Sequence, residues 1–129
     1  MGLFSRKPGR FVSEEAARAN SARQSQMTPM TIAELRKIGV TEDRQLKLEY
    51  FFYTNTSEKA AALAAELEAL GYDGERHVSA SDKRQYLITG WTQAMPMDVV
   101  TVASWVRRMC EIGYKYDCEF DGWGTTPAQ

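Results

Sequence analysis

The stretch LKLEYFFYTNTSEKAAALAAELEALGY, Leu46 to Tyr72, contains a strand, a helix start, a helix and a stop in direct succession. Side chains leave an extended backbone alternately on its two sides. Leu46, Leu48, Tyr50 and Phe52 therefore share one apolar face, and Lys47, Glu49, Phe51 and Tyr53 share the other, which is half aromatic. The period then changes. After Ser57, read as the cap, Ala60, Leu63, Ala64, Leu67 and Leu70 recur at three and four, the spacing of a helix with one buried stripe. Gly71 sits where helices end in a left-handed residue, and Tyr72 begins a second strand that runs to Ser79.

Further along the chain the same order returns. Ser79 to Asp82 reads as a turn and Arg84 to Thr92 as a third strand. Pro96 is placed as a helix-opening proline with Asp98 in the first turn, ahead of the stripe Val99, Val102, Ala103, Val106, Met109 and Cys110. Gly113 should stop this helix, and Tyr114 should open a last strand with Tyr114, Tyr116, Cys118 and Phe120 on an apolar face. Its charged face would be Lys115, Asp117, Glu119 and Asp121. That strand leads into Asp121-Gly122-Trp123-Gly124-Thr125. Leu70-Gly71-Tyr72 and Ile112-Gly113-Tyr114 repeat at a spacing of 42 residues. Two such units give β-α-β-β-α-β, so the expected fold is α+β, a ferredoxin-like sandwich in which two helices cover one face of a four-stranded antiparallel sheet. The other face stays open and carries Lys47, Glu49, Phe51, Tyr53, Lys115, Asp117, Glu119 and Asp121.

Upstream, Ser13-Glu14-Glu15 starts a short helix through Arg23. Thr31 and Glu34 form a capping-box pattern, with Met30 and Leu35 as its hydrophobic staple, and predict a second short helix over 32–38, stopped by Gly39. Residues 1–28 read as a basic, loosely attached extension, and residues 29–129 as the domain. Within residues 1–25, five cations (Arg6, Lys7, Arg10, Arg18, Arg23) face two carboxylates, Glu14 and Glu15, although the whole chain of 129 residues carries a net charge of -1.

These numbers exclude several classes. A near-neutral chain lacks the dense basic field that phosphate binding needs, which argues against nucleic acid as a direct partner. The third strand does not follow the RNA-recognition consensus either, even though Phe51 and Tyr53 sit where bases could stack. No apolar run approaches the roughly 20 residues of a membrane span and the N-terminus lacks a secretory signal, so the expected location is the cytoplasm. Two cysteines and one histidine, His77, make no zinc set, and both thiols read as core. No phosphate loop and no nucleophile-base pairing is present. Catalytic residues, metal and cofactor are all expected to be absent. What remains is a protein-binding surface, with Phe51, Tyr53, Asp117, Glu119, Asp121 and Trp123 as its candidates. The aromatic open face leaves a small-molecule-binding or RNA-binding role as the alternative, and it also permits a face-to-face dimer.

The segment YDCEFDGWGT, Tyr116 to Thr125, resembles the terminal strand and DGWGT-type signature of the regulators of ribonuclease E activity, type B, the bacterial ribonuclease E inhibitor domain. Leu46 to Asp73 resembles that family's first strand and the helix that follows, and the likeness spans roughly Gly39 to Thr125. The resemblance implies a non-enzymatic ferredoxin-like domain that binds ribonuclease E through its non-catalytic scaffold and thereby alters RNA turnover. Inhibitory members are strongly acidic and continue into an acidic tail, whereas this chain has four residues after Thr125 and a basic N-terminal arm.

Overall fold

The computed structural model describes residues 10–79, 82 and 84–129. Its elements are α1 (Glu14–Lys37), β1 (Gln45–Leu46), β2 (Glu49–Thr54), α2 (Ser57–Ala69), β3 (Asp73–Val78), β4 (Tyr86–Trp91), β5 (Met95–Pro96), α3 (Val99–Lys115) and β6 (Glu119–Gly124). β3, β4, β2 and β6 lie side by side in that order, every neighbouring pair antiparallel. β1 and β5 form a small separate ladder. The result is a mixed α/β architecture of three helices and antiparallel sheets.

Alternation in the first strand holds. Leu46, Leu48, Tyr50 and Phe52 are all buried, together with Leu63 and Leu67 of α2, Val102, Val106 and Met109 of α3, and Ile88 and Phe120 of the sheet. Between Leu46 and Glu49 the chain passes from the small ladder to the large sheet, so the expected single strand is two. A polar side chain ahead of each later helix accepts a backbone N–H, stabilising the first turn by about 1 kcal/mol. Thr56 accepts from the Lys59 amide, one residue before the expected cap Ser57. Asp98 accepts from Thr101, while Pro96 belongs to β5 and does not open the helix.

The N-terminal part departs most from expectation. The two short helices are one helix of 24 residues, continuous through Pro29, and the anticipated boundary between residues 28 and 29 falls inside it. Thr31 does not cap a helix start; its hydroxyl donates back to the Met27 carbonyl within the helix. Nor are residues 14–28 loosely attached, because α1 packs along α3 with Asn20, Gln24 and Thr28 buried. The Asn20 amide donates to the Phe120 carbonyl at 2.7 Å, so α1 also covers the free edge of β6. Residues 1–9, which hold Arg6 and Lys7 of the basic arm, lie outside the described residues, as do Ala80, Ser81 and Lys83 of the expected turn and its surroundings.

The Gly-Tyr repeat is not a structural one. Gly71 follows the end of α2 with φ +86°, but Gly113 lies inside α3, which continues to Lys115. A Cβ on Gly113 would meet the Cys118 carbonyl at 2.8 Å and the Phe52 ring at 3.0 Å, so this position serves close packing of helix on sheet. Tyr114, Lys115, Tyr116 and Asp117 consequently precede the last strand, which begins only at Glu119.

Candidate protein-binding surface

The six candidate residues divide among three places. Phe51 and Tyr53 lie on the open face of β2, as expected. In the ladder Phe51 stands opposite Thr89 on one side and Gly122 on the other, and Tyr53 opposite Leu87 and Glu119. Adjacent rows bring Glu49, Trp91 and Asp73 together, then Thr89 and Glu75, then Leu87 and His77. The open face is thus an aromatic and aliphatic strip of Phe51, Tyr53, Trp91 and Leu87 with carboxylates Glu49, Asp73, Glu75 and Glu119 around it. Trp91 and Leu87 were not singled out from sequence, although the alternation of Tyr86 to Trp91 would have placed them there. His77 is exposed and pairs with Glu75 at 2.8 Å.

Asp121 and Trp123 are separated by a β-bulge. Phe52 pairs with Phe120 and Phe51 with Gly122, which leaves Asp121 as the extra residue of β6. Gly122 takes φ +124°, a conformation that side chains with a Cβ rarely adopt. The bulge has a direct consequence for Trp123. Three residues beyond Phe120 it would face the opposite side of a regular strand, but the inserted residue turns it back to the helix side, opposite Tyr50. There its ring meets Trp105 edge-on, centroids 6.4 Å apart, and Trp105 in turn meets Phe120 edge-on at 6.0 Å. Trp123 is therefore a half-buried lid on the core, and only Asp121 of the pentapeptide's first three residues is fully exposed to solvent.

Asp117 is on neither face. It follows α3 in the left-handed region (φ 59°) and is buried. Its carboxylate accepts the backbone N–H groups of Phe11 and Val12, both at 2.7 Å, and pairs with Lys59 of α2 at 2.6 Å and Arg10 at 3.5 Å. Burial pushes its carboxyl up. Hydrogen bonds from Lys59, Val12 and Phe11, with the Lys59 charge, outweigh that and hold it below the usual carboxylate range. Asp117 ties the segment before α1 to the body of the domain. Lys115, expected on the open face, instead reaches Glu66 of α2.

Cys118 is buried and Cys110 half-buried, both as free thiols pushed up to about 11 by burial, which keeps them protonated and unreactive. Among the described residues no group of three or more His, Cys, Asp or Glu could hold a metal ion, and no helix is long and apolar enough to cross a membrane.

An antiparallel sheet with one face under helices and one face open, bearing an aromatic strip, defines a small α/β domain. The chain matches the family model "Regulator of ribonuclease activity B" over residues 25–125, most of its length, and belongs to that family. The match begins inside α1 and ends at Thr125, so it takes in the bulge of β6 and the whole four-stranded sheet. No curated protein matches the chain at a significant level.

Proposed function

We propose that this protein is a non-catalytic regulator that binds ribonuclease E through the enzyme's scaffold portion and thereby modulates RNA turnover. The family match over residues 25–125 carries the reading, since that family regulates ribonuclease activity. The open sheet face supports a protein as the ligand. Aromatic residues at the centre of a patch and charges at its rim are the composition of interface hot spots. Carboxylates at Glu49, Asp73, Glu75 and Glu119 would repel RNA phosphates and attract a basic polypeptide. Phe51 and Tyr53 act as the anchors, with Glu119 and Asp121 at the rim; Trp123 and Asp117 act indirectly, by holding β6 and the start of α1 in place. The fold reading that goes with this proposal is the ferredoxin-like one, supported by the β-α-β-β-α-β succession of β2, α2, β3, β4, α3 and β6 and by the central position of β2 and β4.

Titration of purified ribonuclease E scaffold against the full chain by calorimetry tests the reading. Binding at micromolar concentration or tighter is expected, and the double variant Phe51→Ala, Tyr53→Ala should lose at least tenfold in affinity with an unchanged thermal midpoint. Absence of binding by the wild-type chain removes ribonuclease E as the target.

A further inference from the structure

We propose that the groove between α2 and β3, on the opposite side of the sheet from the aromatic strip, takes a lysine or arginine side chain carried by the protein partner. This rests on the reading that the chain acts by binding a protein. The two sheet edges differ. β6 is covered by α1, whereas every residue of β3 is exposed. Between β3 and α2 lies a cavity of about 540 Å³, a size typical of ligand sites.

At its base is the Tyr50 hydroxyl. Tyr50, Gly90 and Gly74 form one row across β2, β4 and β3, and the tyrosine side chain lies over both glycines. A Cβ on Gly90 or Gly74 would come within 2.6 or 2.5 Å of the hydroxyl oxygen. The residue is wholly buried, yet its hydroxyl has no hydrogen-bond partner among the described residues. Native proteins rarely leave such a group unsatisfied, because its lost hydration is not repaid. Burial, and then the charge of Asp73, push the phenol up to about 12, so it stays neutral with its oxygen lone pairs free to accept.

The walls fit a long cation. Ala61, Ala64 and Ala65 of α2 offer a shallow apolar surface for a methylene stem, and Glu68 of α2 stands at the rim beside Arg76, whereas the Glu75 side chain leaves β3 toward the aromatic strip and pairs there with His77. A basic side chain entering beside the bare β3 edge would place its N–H groups against the Glu68 carboxylate and the Tyr50 oxygen.

The test uses the isotopically labelled full chain and acetyl-Arg-Arg amide as probe, with acetyl-Glu-Glu amide as control. Saturable shifts of the Gly74 and Glu75 amides with the arginine peptide alone are expected. Ala65→Leu, which fills the groove from an exposed helix position, should weaken the peptide at least tenfold, and Tyr50→Phe should weaken it several-fold while leaving the urea midpoint unchanged or raised. No shift at Gly74, or equal shifts with both peptides, overturns the proposal. Ribonuclease binding that is the same for wild type and Ala65→Leu also overturns it, while sparing the regulator reading. Peptide binding in the groove without ribonuclease binding sustains it and removes that enzyme as the partner.

Discussion

Substitution of Asp117 should be among the most damaging single changes outside the aromatic core. Its carboxylate satisfies two backbone N–H groups at 2.7 Å and a lysine at 2.6 Å. Hydrogen bonds to a charged group contribute about 1.5–3 kcal/mol each, and removing one partner of a fully buried pair costs about 3–5 kcal/mol. The side chains of Lys59 and Arg10 keep 24% and 27% of their surface exposed, so water recovers part of that loss. Asp117→Ala should therefore cost about 3 kcal/mol; with a urea slope of about 1.5 kcal/mol per M, the midpoint falls by about 2 M. Asp117→Asn keeps the shape, tolerates the left-handed backbone and retains one acceptor oxygen, so about half that loss is expected. The carboxyl is held below its unfolded value of about 3.9, so its stabilisation is present above that pH and fades as pH falls through the folded value. Wild type and Asp117→Ala should thus converge in stability toward acid. Urea unfolding at pH 7 and pH 3, with tryptic cleavage at Arg10 as a probe of the released segment, measures all of this. A midpoint shift below about 0.3 M at pH 7, or a gap that widens in acid, would refute the clamp.

Trp123→Ala should cost about 2 kcal/mol, less than the 3–5 typical of a fully buried aromatic, and should reduce the change in tryptophan fluorescence on unfolding to that of Trp91 and Trp105. Gly90→Ala would put a Cβ 2.1 Å from the Asp73 carbonyl of the next strand; a loss of about 3 kcal/mol in thermal unfolding is expected, and a neutral result would show that β3 yields easily. Pro29→Ala restores an amide donor to an exposed position inside α1 and should raise stability by about 1–3 kcal/mol in the same assay.

Local pattern carried the sheet. The burial of Leu46, Leu48, Tyr50 and Phe52, the stripe of α2 and the stop at Gly71 depend on alternation, on the 3.6 period and on backbone freedom, all readable within a few residues. Tyr114 to Phe120 misled because a helix end and a strand start both accept alternating tyrosine and charge. Only the approach of Phe52 and the Cys118 backbone to Gly113 lets α3 run on to Lys115, and the pairing of Phe11 and Val12 with Asp117 is made by residues over a hundred positions apart.

The sequence by itself determined the number of large strands, the two stripes that cover them and the family signature at Tyr116 to Thr125, since each is written in neighbouring residues. Tertiary structure alone decided that α1 is one helix, because its polar positions Asn20, Gln24 and Thr28 gain burial only against α3 and β6. It also decided which way Trp123 faces, through one unpaired residue, and set the Tyr50 side chain over two glycines that no local rule would align.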